Sequence, residues 1–330
     1  EYGSFHAPHV VLIDAGPIVP DALKFRLEAL AARGGSLELV VVTHIDADHI
    51  GGMLTLMEKD FYGVAVKDFW FNGYRHLPDT LEHFGPKQGE KLTGLLLTKG
   101  YPWNVAFNHG PIAVVEDQII TVYLEGGAKI TLLSPDTVQL ARLKVAWAKV
   151  CGDADLYADI LPQQEALDDL EVYGVGVPDV VGLSDTKFKE DKAEANGSSI
   201  AFVFSYKGKQ VLLGADAFPS RLLKTLSYLG DAPHAFDAVK LPHHGSENNV
   251  STQLIEALAS PLYIFSTDGA KFKHPSRQAV ARVVRYGNRP LLAFNYKTEF
   301  NEMWDNPLLS AKYGSKAVYG EQDGFTVSLL

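Results

Sequence analysis

The stretch Thr43-His44-Ile45-Asp46-Ala47-Asp48-His49-Ile50-Gly51-Gly52 constrains this chain more than any other. It follows Leu37 to Val42, a largely apolar run of the kind that forms a buried strand. His44, Asp46, Asp48 and His49, all able to ligate a metal, fall within six residues, where a helix over about Ile50 to Glu58 is predicted to begin. A buried strand end cannot keep unpartnered carboxylates, because an unpaired charge out of water is too costly. A metal ion is the partner that answers all of these groups at once. Alternate residues of an extended segment face the same way, so His44, Asp46 and Asp48 can converge. His49 then enters from the first helical turn. Gly51 and Gly52 leave out side chains where the helix must pack close to the strand. The plainer alternative is a polar strand end with a helix cap. A lone His-x-Asp pair would not argue against it, but the whole pattern after an apolar strand is specific.

The composition, 46% hydrophobic with 29 Gly and 17 Pro among 330 residues, is that of a folded globular chain and not a disordered one. No run of eighteen uncharged apolar residues occurs, so no membrane span is expected. Glu1 to His6 shows neither a basic nor an apolar leader region, and a cytoplasmic location is the expectation. The one cysteine, Cys151, excludes an internal disulfide framework and a multi-cysteine zinc knuckle. A net charge of −10 argues against a basic nucleic-acid coat, though not against local recognition of phosphate.

Along the chain, His9 to Asp14 reads as a strand and Pro20 to Arg33 as an amphipathic helix with Leu23, Leu27 and Leu30 at helical spacing. Val64 to Phe71 alternates like a strand, and Gly89 to Thr98 reads as a helix. Asp117 to Leu124 and Ala128 to Leu133 form a predicted hairpin, followed by a helix from Asp136 to about Val150. Cys151 to Asn196 is acidic and turn-rich, and is predicted to be a solvated surface insertion. The second half opens with a hairpin of Ser198 to Tyr206 and Gln210 to Leu213. Two more polar turns follow strands there: Leu213-Gly214-Ala215-Asp216-Ala217, and Pro242-His243-His244-Gly245-Ser246 after Ala238 to Leu241. Leu262 to Ser266 leads into Lys271-Phe272-Lys273-His274-Pro275-Ser276 and a basic helix to Arg285, with closing strands at Pro290 to Phe294 and Phe325 to Leu330. Both halves thus repeat strands, a ligand turn and a helix, which predicts two sheets covered by helices in one α/β domain over 1–330, with the insertion at about 151–196.

The His44-to-Gly52 stretch resembles the signature of the metallo-β-lactamase fold superfamily, with Asp46 where the usual form has a second His. That variant resembles one branch, the hydrolase domain of the competence protein ComEC and its stand-alone relatives. Asp14-Ala15-Gly16, Asn196-Gly197-Ser198-Ser199, Leu213 to Ala217, Lys240 to Ser246 and Lys273-His274-Pro275 are similar to its further motifs, in the same order. The resemblance implies a four-layer αββα sandwich with two divalent metal ions at one edge. His44 and Asp46 would then hold the first metal, Asp48 and His49 the second, and Asp216 both. His243 completes one site, while His244 and His274 are candidates for the remaining position or for substrate contacts. The superfamily's intermediate His has no clear counterpart; His109 lies in the right interval but in no motif.

Imidazole with carboxylate suits zinc, and Asp46 in place of a His makes the site harder, so manganese is the alternative. Asp46, Asp48 and Asp216 against two divalent ions leave a formal +1, which suits an anionic phosphodiester better than a neutral amide. Asp48, His244 and His274 are the candidate catalytic groups, and Ser246, Lys271, Lys273 and Arg277 the candidate substrate contacts. The expectation is a metal-dependent phosphodiesterase or nuclease. Ester, lactone or β-lactam hydrolysis on the same scaffold, or a metal-stabilised binding module without catalysis, are the alternatives.

Overall fold

The structure, a computed structural model, describes residues 1–4, 6–78, 87–152, 176–270, 272–321 and 324–329. β1 (Tyr2–Ser4) turns back antiparallel onto β2 (Ala7–Ile13). α1 (Asp21–Ala32) then carries the chain to β3 (Ser36–Val41), parallel to β2. After the ligand stretch come α2 (Ala47–Glu58), β4 (Ala65–Val66) and β5 (Phe69–Trp70), the two strands both parallel to β3. The predicted strand Val64 to Phe71 is therefore two short pieces. Between them the Asp68 carboxylate accepts from Trp70 Nε1 and from the backbone N–H of Val105 and Ala106, which breaks the extended run. α3 (Lys87–Lys99), β6 (Thr121–Tyr123), β7 (Lys129–Ser134) and α4 (Thr137–Gly152) complete the first half.

α5 (Val180–Ser184) and α6 (Glu194–Gly197) lead into the hairpin β8 (Ala201–Tyr206) and β9 (Lys209–Leu213). Then follow α7 (Pro219–Leu226), β10 (His234–Ala235), β11 (Ala238–Lys240), α8 (Thr252–Glu256), β12 (Leu258–Ala259) and β13 (Leu262–Phe265). α9 (Arg277–Tyr286), β14 (Leu291–Phe294), α10 (Pro307–Tyr313) and β15 (Lys316–Tyr319) finish the chain. One sheet has the order β1-β2-β3-β4 with β5 also on β3; the other runs β15-β14-β13-β11-β9-β8-β7-β6; β10 and β12 form a small parallel pair.

The sheets stack because their strands are apolar on both faces. On β3, Leu39 and Val41 face the second sheet, where they meet Ile130, Leu132 and Phe202. Val40 and Val42 face the other way, into α1 to α4, against Leu27, Met53, Leu92 and Trp147. On β8, Ala201 and Val203 turn from the first sheet toward Leu222 of α7, with Val280 and Val283 of α9 in the same cluster. Strand alternation thus sorts each side chain into one of three apolar layers, and each fully buried Leu, Ile or Val contributes about 1.5–3 kcal/mol. Helices, sheet, sheet, helices is the expected αββα order.

Two expectations meet differences. Phe325, Val327 and Leu329 form no strand; they lie over Ala238, Leu262 and Ala293 on a face of the wider sheet, and the last strand is β15. Within the acidic segment, residues 153–175 lie outside the described residues, but 176–196 are not simply solvated. Val180 joins the core and Asn196 is buried, because this segment packs beneath the second ligand turns. Among the described residues no helix is long and apolar enough to cross a membrane.

Candidate metal centre

The first ligands sit where β3 gives way to α2. Asp46 is still extended (φ −69°, ψ 145°) and serves as the N-cap, so strand alternation brings His44 and Asp46 to one side, their nearest atoms 3.6 Å apart. Asp48 does not follow by alternation, as the sequence pattern suggests. The helix has already begun at Ala47, and Asp48 and His49 both reach the centre from its first turn. The glycine face of α2 packs against the loop after β2, while Ile50, Met53 and Met57 share a core with Val40 and Val42. A Cβ on Gly52 would stand 2.3 Å from the Ala15 carbonyl oxygen, and one on Gly51 2.5 Å from that of Pro17, so neither position admits a side chain without movement.

The second half delivers its ligands from left-handed backbone. Ala215 (φ 45°), His243 (φ 46°) and His244 (φ 55°) are all non-glycine residues in this region, as is Asp14 (φ 52°). Such residues cost roughly 1–3 kcal/mol each and persist only where the surroundings hold them. His243 N–H donates to Ala215 O at 2.8 Å, and Ser246 N–H to His243 O at 2.7 Å. Buried Arg282 of α9 donates to the carbonyls of Glu247 and Val250, each at 2.8 Å, and so pins the end of the same turn. This conformation points both adjacent imidazoles inward, which a strand could not do.

The result is one ring of nitrogen around one oxygen. The Nε2 atoms of His44, His49, His243 and His244 lie 3.8, 3.4, 3.8 and 3.9 Å from Asp216 Oδ2. His244 Nε2 is also 3.2 Å from Asp48 Oδ2 and 3.3 Å from His49 Nε2. Each ring is held from behind through Nδ1. His49 Nδ1 donates to Asp14 Oδ2 at 2.8 Å, and His244 Nδ1 to Ser266 O at 2.6 Å. His243 Nδ1 donates to Asn249 Oδ1 at 2.8 Å, with Asp191 Oδ2 at 3.5 Å. His44 Nδ1 lies 3.0 Å from Thr43 Oγ1, which itself donates to Asp14 Oδ2. Acceptors at Nδ1 require its proton, so each neutral ring turns a bare Nε2 toward the centre.

Charge is concentrated accordingly. Burial pushes the Asp216 carboxyl up, but the charges of His49, His243 and His244 outweigh it and hold the group well below its ordinary value. Asp48 is likewise pulled below its ordinary value, against burial, by the hydrogen bond from His244 and the charge of His49. Burial disfavours a charged His49, yet Asp216 and Asp14 raise it well above the usual imidazole value. His243 is raised to about 9, where Asp216 and Asp191 overcome burial. His274 moves the other way, down to about 3, through burial and the neighbouring charges of His243 and His244.

These residues fit a cation pair. His44 Nε2 and Asp216 Oδ1 are buried with no hydrogen-bond partner, which leaves a lone pair and a carboxylate oxygen unanswered inside the protein. His44, His49 and Asp216 form one compact group of possible ligands, and Asp48, His49 and His244 another.

Of the other sequence candidates, His274 adjoins the cluster, its ring 5.5 Å from that of His243 and stacked on His244 at 6.5 Å. It is buried, and both burial and the adjacent imidazoles disfavour its charged form. His109 stays outside: it is exposed, and its Nδ1 is bound 2.9 Å from Trp103 O. Ser246 is corrected as a substrate contact. It is fully buried, and its Oγ accepts from Asn248 N–H inside the turn, so no atom of it reaches solvent. Lys273 is exposed beside His274 and Arg277 is half-buried in the first turn of α9, while Lys271 lies outside the described residues. Sequence reading missed Asn249, Asp191 and Arg282. Asn249 links three segments, since its amide also donates to Asp216 O and to Asp191 Oδ2, both at 3.2 Å.

Residues 8–124 match the family model described as the Metallo-beta-lactamase superfamily. The matched span carries Asp14 and His44 to His49 but ends before Asp216, so the second half of the ligand set is contributed by the geometry alone. The four layers are consistent with that superfamily's fold, and the match suggests a metal-dependent hydrolase. No curated protein matches the chain.

Proposed function

We propose that this protein is a two-cation phosphodiesterase of the ComEC-like kind, acting on nucleic acid or a small phosphodiester. The observation that carries the reading is the convergence of four Nε2 atoms on Asp216 Oδ2, with Asp46 and Asp48 beside them. His44, Asp46 and His243 would hold one divalent cation, zinc or manganese, and Asp48, His49 and His244 the other, with Asp216 between them. Bound there, such a pair lowers the pKa of a water and neutralises the oxygens that attack and leave.

The chain's own residues supply the rest. Nδ1 anchors on Asp14, Thr43, Asn249 and Ser266 fix each ring before substrate arrives, so little reorganisation remains for the reaction. Three carboxylates against four positive charges leave the centre at +1, which favours a singly charged phosphodiester over a neutral amide. His274, buried and neutral, can hydrogen-bond a substrate oxygen, and exposed Lys273 adds positive charge nearby. The variant Asp46 and the run Lys240 to Ser246 support the ComEC-like grouping.

Hydrolysis of bis(p-nitrophenyl) phosphate with zinc or manganese tests the reading. Turnover lost in His49→Ala, with nitrocefin left intact, is expected. No phosphodiester turnover with any divalent cation overturns it. Cleavage of single-stranded nucleic acid at low salt then separates a nuclease from an enzyme of small phosphodiesters.

A further inference from the structure

We propose a third cation site, at the end of the sandwich remote from the histidine cluster, built by His9, Glu38 and Glu125. One ligand atom from each lies within 4.8 Å of the others. His9 stands on β2, Glu38 on β3, and Glu125 in the turn between β6 and β7, so the site joins the two sheets. Glu38 precedes His44 by six residues, about 20 Å of extended chain, and the two centres share no ligand.

The buried member carries the argument. Glu38 is only 6% exposed, yet its carboxylate is served on one side alone. Tyr2 OH at 2.5 Å and His9 Nδ1 at 2.9 Å both address Oε2, while Oε1 is buried and has no partner. A buried carboxylate oxygen needs a donor or a cation. The bare oxygen belongs to the same carboxylate whose Oε2 faces His9. Glu125 is 63% exposed and closes the site from the solvent side, which gives an ion its entry path. Its present partner, Lys67, is itself 42% exposed and can swing out to water. Gly126 lets the turn come down over the imidazole, because a Cβ there would stand 2.4 Å from His9 Nε2. Two carboxylates balance a divalent charge, and one imidazole with two carboxylates is a donor set for zinc or manganese. A cation held there clips the first sheet to the second and stabilises the fold by binding only the folded chain.

Elemental analysis of the full chain tests this. The protein is stripped with a chelator, reloaded with zinc and desalted, alongside Glu38→Gln and Glu125→Gln. Each variant is expected to hold one zinc fewer than the parent, to show a smaller rise in melting temperature on zinc addition, and to hydrolyse bis(p-nitrophenyl) phosphate at the parent rate. The difference of one is read against the parent, so it stands even if the catalytic reading fails. Exposed Glu125 keeps the test decisive should Glu38→Gln not fold. Equal zinc in Glu125→Gln and parent overturns the proposal, and an ion-pair network with an ordered water then answers Glu38.

Discussion

Replacing Asp14 by Asn tests whether the contacts behind the imidazoles govern the centre. Asp14 Oδ1 accepts Thr43 N–H at 2.8 Å, and Oδ2 accepts Thr43 Oγ1–H and His49 Nδ1–H, both at 2.8 Å. Asparagine keeps the shape and one acceptor. With its oxygen on Thr43 N–H, the amide NH2 faces two donors. His49 must then surrender its Nδ1 proton to Nε2, or rotate, and either change withdraws the lone pair from the centre. Losing a support of this kind costs about 10- to 100-fold in cation affinity or turnover, or about 1.4–2.7 kcal/mol. Zinc affinity by competition with a chromogenic chelator, and kcat on bis(p-nitrophenyl) phosphate, read the effect directly. The melting temperature checks the fold, which should hold because the Thr43 N–H bond survives. Parent-like zinc affinity and turnover in D14N would refute the idea that His49 is set from behind.

Two further outcomes follow from the same geometry. Gly52→Ala puts a Cβ 2.3 Å from Ala15 O, so α2 must move off the 14–17 loop; a loss of about 1–3 kcal/mol in urea unfolding is expected, and an unchanged midpoint counts against the packing described. Cation uptake should also release protons. His243, raised to about 9, holds its second ring proton at pH 7 and must lose it to ligate, and the upward shift of His49 acts in the same direction. Affinity therefore climbs with pH, and the His243 contribution to proton release fades above about 9. Calorimetry at pH 7 in buffers of different ionisation enthalpy checks the sign; identical apparent enthalpies would rule the release out.

What the sequence made legible was the part of the centre that is local. The spacing of His44 to His49 after an apolar strand announced ligands, and the turns at Asp216 and His243 could be matched by order. The supports were not legible, because nothing in spacing links them. Asn249 reaches His243, Asp216 and Asp191 only once three separate segments have packed. Asp191 was hidden in an acidic run whose composition suggested solvent. His109, in the right interval but in no motif, is an exposed residue held away from the centre. Residues 104, 108 and 109 all take left-handed backbone (φ 51°, 53° and 61°), and that tight turn ties the ring to Trp103 O. Phe325, Val327 and Leu329 show that period-two alternation reports one-sided burial rather than pairing. Their apolar face is covered as expected, but β14 already has β15 as its neighbour.

The donors of the histidine cluster come from both halves of the chain, His49 and His244 being 195 positions apart. During synthesis the leading half leaves the ribosome carrying His44 to His49 but neither the central carboxylate nor the opposing imidazoles. A cation that needs ligands from both halves would therefore find its full set only after the late strands have docked. The cluster thus reports on the docking of the two halves, since neither carries all of its donors.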